Sequence, residues 1–313
     1  MARALVLLCG LVLLAFTPWI GSASLIQFGI NTLLLAVLAQ SWNIIGGFTG
    51  YPSFGNSVFY GLGTYGTAIA MAQYNLPFPV GMVCGAVLGV TCAFLLGLPI
   101  LRLRGPYFAI ATLGLAAVMA AIVANLPIAG SNIGLILPLI RGDAMFYELS
   151  LALLVVTTLT TFWVSKSRFG AGLVAIRENE DAAAVMGVDT TLYKVLALAL
   201  SALFTALAGG IHAYWITFID PASAFDASLN LQMVIMAVFG GPGTVAGPLV
   251  GAFVLSAISE LLANTVSTVA SLFFGAVIVA AVIFMPKGLI DLVRGFRTSG
   301  PRYFLRNLRR YRL

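Results

Sequence analysis

The sequence predicts an all-α fold: a polytopic transmembrane helical bundle of about 8–10 spans, including a discontinuous or re-entrant segment. Three observations carry that expectation. Hydrophobic residues fill 61% of the 313 positions, charged residues only 8%, and mean hydropathy is +1.06, so a water-soluble core could not hide the apolar surface. The ten acidic and sixteen basic side chains are bunched, leaving apolar stretches of about twenty residues, the length that crosses roughly 30 Å of hydrocarbon as a helix. Two glycine-rich interruptions, at 46–52 and 240–243, fall inside otherwise apolar sequence. The whole chain, 1–313, reads as one transmembrane domain, with 166–191 a cytoplasmic connector and 287–313 a basic cytoplasmic tail.

Each element follows from this pattern. The first apolar run, 4–20, follows Arg3 and precedes the small residues Gly21 to Ser24. That pattern resembles a secretory signal, and it is read here as an uncleaved first helix. Further spans are expected at 25–45, 53–73, 79–101, 107–126, 148–165 and 192–217. The stretch 229–240 is too short for a full crossing, is broken by Gly240, Gly241, Pro242 and Gly243, and returns as 244–262. Irregular backbone at membrane depth is tolerated only where protein or a water-filled cavity covers it. A last span is expected at 267–286. With a cytoplasmic amino terminus, Arg102, Arg104, the 166–194 connector and the tail all face the cytoplasm, and Arg141 is the outward exception. Lysine and arginine prefer that side, so both termini are placed there.

The formal charge of +6 sits in short connectors and in a tail carrying Arg306, Arg309, Arg310 and Arg312, which favours anionic lipid headgroups over nucleic acid. Cys9, Cys84 and Cys92 lie in apolar stretches with no C-x-x-C spacing, so neither a metal site nor a disulfide framework is expected. Gly61, Gly63 and Gly66 spell G-x-G-x-x-G within an apolar span, a coincidence rather than a dinucleotide site because no strand precedes it. No P-loop motif occurs, so any nucleotide energy must come from a partner. No cofactor is implied, and no nucleophile and base pair suggests catalysis. A secondary transporter would need buried acidic or histidine relays, and Glu260 is the one candidate. His212, beside Tyr214 and Trp215 near the outer end of its span, reads as an interfacial ring anchor.

Two features point to transport. Glycine breaks at comparable places in the two halves suggest an old repeat and point to a substrate path, with close helix packing the alternative. Gly47, Gly50, Ser53, Gly55, Asn56, Gly241 and Gly243 are the pathway candidates, because glycines expose backbone polar groups while Ser and Asn offer hydrogen bonds. Glycine ridges at Gly81, Gly85 and Gly89, and at Gly243, Gly247 and Gly251, read instead as helix packing. In the connector, Arg177, Glu178, Asn179, Glu180 and Asp181 precede Ala182, Ala183 and Ala184, with Gly187 a terminator. A short cytoplasmic helix from Arg177 to Gly187 is expected, suited to docking a partner.

Asp181-Ala182-Ala183-x-x-x-Gly187 resembles the E-A-A-x-x-x-G loop of bacterial ABC importer membrane subunits, with Asp for Glu. More narrowly, the chain resembles the LivM-type permeases of branched-chain amino-acid importers. The resemblance rests on Trp42 to Gly47, Leu101 to Gly114, Ser167 to Gly170 with Ala175 to Glu180, and Gly240 to Pro248, in order over nearly the whole chain from the second span to Gly288. It implies a bacterial inner-membrane permease working with a LivH-type second permease, two ATP-binding cassette ATPase subunits and a periplasmic solute-binding protein. It also implies a coupling helix contacting the ATPase through Arg177, Glu178, Asp181, Ala182, Ala183 and Gly187. The family's Q-x-S-x-G-H sequence is here Tyr51-Pro52-Ser53-Phe54-Gly55-Asn56. That departure leaves amino acids, urea and other small polar or aromatic solutes open as cargo.

Overall fold

The computed structural model describes residues 22–138 and 142–263, together with 288, 289 and 291. The expected spans 4–20 and 267–286, and most of the basic tail, lie outside the described residues. The helices are α1 (Ala23–Asn43), which runs on through a π-turn at Ile44–Phe48, α2 (Asn56–Ala72), α3 (Phe78–Ile100), α4 (Pro106–Ala124) and α5 (Asp143–Lys166). The connector forms α6 (Arg168–Glu178) and α7 (Glu180–Val185). Then come α8 (Thr190–Ile216), a single turn α9 (Pro221–Ala224), α10 (Ala227–Gly240) and α11 (Gly247–Ala263). Two two-residue strands, β1 (Leu135–Ile136) and β2 (Phe218–Ile219), pair antiparallel.

Helix α2 is the axis of the bundle, with most of its 17 residues buried. It lies against α3 and α8 at backbone distance. A Cβ on Gly63 would collide with the Ala206 carbonyl, one on Gly209 with the Tyr60 carbonyl, and one on Gly85 would lie 2.5 Å from the Gly63 carbonyl. Between apolar helices in lipid, association comes from such close packing rather than from hydrophobic burial. Gly61, Gly63 and Gly66 are thus contact points for neighbouring elements, and the Gly81–Gly89 ridge packs as its spacing suggested.

Among the described residues six segments are long and apolar enough to cross a bilayer: Ala23–Phe48, α3, α4, α5, α8 and Pro221–Gly240. Helix α4 buries Phe108, Thr112, Ala116 and Val123 on one stripe and leaves large side chains such as Tyr107, Ile110 and Val118 exposed. Helix α10, at 14 residues, rises only about 21 Å. Only with the turn α9 does the segment reach spanning length, which corrects the view of 229–240 as an isolated short piece. After Gly240 the chain breaks, and α11 returns alongside α10, where a Cβ on Gly251 would collide with the Met236 carbonyl.

The connector departs from expectation. In place of one helix from Arg177 to Gly187 there are two, split at Asn179, whose backbone is extended at φ −162° and ψ 109°. The reason is local chemistry: the Asn179 side chain accepts a hydrogen bond from the Ala182 N–H at 3.0 Å and starts a new helix as its cap. Arg177 and Glu178 therefore close α6, and Asp181, Ala182 and Ala183 belong to α7. Gly187, at φ +87°, ends the pair in a conformation that side chains with a Cβ resist.

Candidate translocation and docking sites

The two glycine breaks, nearly two hundred residues apart in sequence, touch. At the end of α1 the π-turn is followed by Gly50 at φ +73°. Single π-turns inside α-helices often mark functional positions. Asn43, fully buried, accepts from the Gly243 N–H at 2.7 Å and donates to the Thr244 carbonyl at 2.9 Å. One α1 turn earlier, Gln40 donates to the Val245 carbonyl at 3.1 Å. A Cβ on Gly47 would lie 2.5 Å from the Gly243 nitrogen, so the absence of side chains is what lets the breaks meet.

Arg177 closes this junction from the connector side. Its guanidinium donates to the Gly47 carbonyl at 3.1 Å and to Glu178 at 3.1 Å, and its Nη1 would lie 2.5 Å from a Cβ on Gly243. The end of α6 thus bears on both breaks at once. A second tie lies beside it. Lys194, 4% exposed, donates from its ammonium to Glu180 at 2.6 Å, to the Tyr51 hydroxyl at 3.1 Å and to the Leu101 carbonyl at 3.1 Å. The Tyr51 hydroxyl donates in turn to Glu180. Arg104 reaches Asp181 through two nitrogens, at 2.9 and 3.3 Å. Burial alone would raise the Glu180 carboxyl. The Lys194 and Tyr51 bonds and the Arg104 charge outweigh it and hold Glu180 below its ordinary pKa.

The remaining pathway candidates form a polar seam rather than an open channel. Ser53 donates to the Asn56 carbonyl oxygen at 2.9 Å, and the Asn56 amide donates to Ser201 at 3.0 Å. Asn230 accepts from the Ser57 N–H at 2.9 Å and donates to the Phe54 carbonyl at 2.5 Å. Ser53 and Asn56 therefore use their hydrogen-bonding groups on each other and on α8. Gly55 abuts the Thr112 carbonyl of α4. The structure brings Gly47 and Gly243 together, sets Gly241 in the same turn, holds Gly50 against Arg177, and places Ser53, Gly55 and Asn56 one layer inside.

Sequence reading missed Val185 and Met186. At 87% and 84% exposed, they are bare apolar side chains at the tip of the charged connector. The available signal was an apolar pair directly after the alanine run. His212 is also not the surface anchor expected from its position. Its neighbour Tyr214 is buried with ring centroids 4.7 Å from Phe78 and 5.5 Å from Phe146, and His212 itself lines a cavity with Tyr60. Glu260 is exposed on α11, thirteen residues or about 20 Å along the helix from its start at the break.

Residues 24–282 match the family model described as the permease component of branched-chain amino acid transport systems. The chain belongs to this permease family. The high-affinity branched-chain amino acid transport system permease protein LivM of Salmonella typhimurium is 27% identical over 93% of this chain and 76% of its own length, and that of Escherichia coli is 26% identical over the same shares. The fructose import permease protein FrcC of Rhizobium meliloti is 25% identical over 60% of this chain and 56% of its own length. As a family member with six apolar spans among the described residues, the chain is a multi-pass transmembrane permease of the ABC type, a transport component rather than an enzyme. The family match covers both glycine breaks and the whole connector.

Proposed function

We propose that this chain supplies half of the membrane pathway of an ATP-driven importer for branched-chain amino acids. A periplasmic solute-binding protein delivers the cargo, a LivH-type permease supplies the other half of the pathway, and two ATPase subunits dock on the connector. In this reading the chain lies in the bacterial cytoplasmic membrane with the connector and both termini in the cytoplasm. The observation that carries the proposal is the pairing of exposed Val185 and Met186 with the inward reach of Arg177. Large bare apolar side chains outside the spans mark a protein contact, and a push on α6–α7 is delivered through one guanidinium to both glycine breaks. Closure of the ATPase pair moves the connector, shifts Arg177 against the Gly47 carbonyl and opens the junction.

The test pairs Val185→Asp with Met186→Asp in the full chain co-expressed with its neighbouring subunits. The ATPase is expected to copurify with the native chain and to be lost from the double variant, whose melting temperature stays unchanged. Native chain that retains no ATPase under any lipid condition overturns the proposal. For cargo, ATP-dependent uptake of L-leucine into proteoliposomes, with L-isoleucine, urea and fructose as competitors, is expected to be inhibited by L-isoleucine alone.

A further inference from the structure

The cavity lined by His212 lies at the far end of α8 from the connector. Helix α8 has 27 residues, a rise of about 40 Å. Lys194 at its start is tied to the connector, and Ile216 at its end faces the cavity. There Thr217 turns the chain at φ +66°, β2 pairs with β1, and Asp220 caps the turn α9. The space left between α2, the end of α8 and this cap is a cavity of about 270 Å³, just below the roughly 300–1,000 Å³ of pockets for drug-sized ligands.

Its lining is a built site. Tyr60 is 95% buried, as its 5% exposure shows, lines the cavity, and its hydroxyl has no hydrogen-bond partner among the described residues. The hydroxyl is not sealed off: it opens to the cavity, where a bound molecule can pair with it. The His212 imidazole, packed between the Tyr60 ring at 5.7 Å and Trp215 at 5.9 Å, likewise makes no hydrogen bond among the described residues. Thr64 donates to the Gly209 carbonyl at 3.1 Å and keeps its acceptor lone pairs. The Asp220 carboxylate accepts from the Ser223 N–H at 3.0 Å and from the Ser223 hydroxyl at 2.6 Å. A carboxylate offers about four acceptor sites, and no ion pair among the described residues occupies the others. Burial alone would raise this carboxyl, and the bonds from Ser223 and nearby backbone N–H groups hold it low, so it is charged at neutral pH. Ile216 and Ile219 supply an apolar wall.

We infer that this cavity is a transit site for the cargo, holding a small zwitterion with an aliphatic side chain. The ammonium group binds Asp220 and Thr64, the carboxylate accepts from Tyr60 and His212, and the side chain lies on Ile216 and Ile219. Among the described residues no lysine or arginine lines the cavity, so a cargo bearing only negative charge is disfavoured. The inference rests on the importer reading, and it places the first contact in this chain at the end away from the ATPase.

The experiment uses the complete importer in proteoliposomes with L-leucine as probe. Asp220→Asn keeps the helix cap, since Asn caps as well as Asp, but loses the charge. Leucine imported per ATP hydrolysed is expected to fall about tenfold, the size of one charge-assisted hydrogen bond. Tyr60→Phe is expected to give a fall of about threefold, with ATP hydrolysis unchanged in both. Import per ATP within twofold of native in both variants overturns the site while leaving the importer reading intact. A second measurement stands apart from transport. Ile216→Cys, in a chain freed of its native cysteines, is alkylated by a maleimide in membranes. Protection by L-leucine but not by 4-methylpentanoate, which lacks the amine, supports the site; equal labelling with and without leucine overturns it. Failure of the native complex to take up leucine at all overturns the importer reading instead, and the labelling result then decides the cavity by itself.

Discussion

Lys194 has three N–H donors and the fold supplies three acceptors: Glu180, the Tyr51 hydroxyl and the Leu101 carbonyl. This complete pairing explains how an ammonium group can be 4% exposed in a membrane protein, because buried charges persist only when paired and hydrogen-bonded. It also resolves the departure at Tyr51. Here a hydroxyl joins the connector to the first break, and we propose that the residue serves coupling rather than cargo. Tyr51→Phe is expected to cost about 1–2 kcal/mol, read as a lower melting temperature, with the ratio of leucine to isoleucine uptake unchanged. An altered ratio at unaltered melting temperature would refute this assignment. Glu180 gives the pH signature. Its folded pKa lies below the ordinary 4.5, so its stabilising contribution is complete above that value and is lost as pH falls through the folded pKa. The melting-temperature gap between native and Glu180→Gln chains is thus expected to be full at pH 7 and to close as pH falls through that folded pKa, below the ordinary 4.5. None of this was legible beforehand, because Tyr51 and Glu180 lie 129 positions apart and only the fold joins them.

At the scale of elements, sequence pattern succeeds where one periodicity or one punctuating residue decides. The helices expected from 25 to 217 appear within a few residues of expectation, because uninterrupted hydrophobic length is the dominant signal in lipid; the one expected at 53–73 is α2, whose 17 residues leave it outside the six bilayer-length segments. Gly187 does end the connector pair. The split at Asn179 was not legible from the charge run, since Asn caps a helix or sits within one according to neighbours that spacing leaves undetermined. The two helices matter because α6 carries Arg177 inward while α7 turns Val185 and Met186 outward. Gly187 holds that geometry, and a Cβ there would meet open space, so substitution acts through backbone strain of about 1–2 kcal/mol alone. Gly187→Val is expected to leave the chain inserted and ATP hydrolysis present while uptake per ATP falls severalfold. Gly187→Asn, which tolerates the left-handed region, is expected to restore most of it. Equal uptake per ATP in both variants would show that the turn does not transmit force.

At the scale of the molecule, the paired glycine breaks were legible, but their contact was not. Local sequence shows that a helix is interrupted, never what the interruption meets. The breaks meet because Asn43 and Gln40 on α1 face the backbone of the second break, and they do so at the connector end of the bundle. The Tyr60 hydroxyl and His212 imidazole, without a hydrogen-bond partner among the described residues, sit at the other end. Between them run α2 and α8, bonded through Asn56 and Ser201 at 3.0 Å and backed by Ser41 and Thr205 at 3.0 Å. These bonds tie α2 and α1 to α8 within one turn of each other, between the connector junction and the cavity, with the long axis of α8 as the ruler. A sidedness experiment follows. In a cysteine-free background, Val185→Cys is expected to react with a membrane-impermeant maleimide only in inside-out vesicles, and Ile216→Cys only in right-side-out ones. Both labelled from one face would mean that α8 does not span. Labelling from opposite faces in the reverse sense would invert the membrane orientation and place the connector where no cytoplasmic ATPase could reach it, which would end the importer reading while leaving the fold as described.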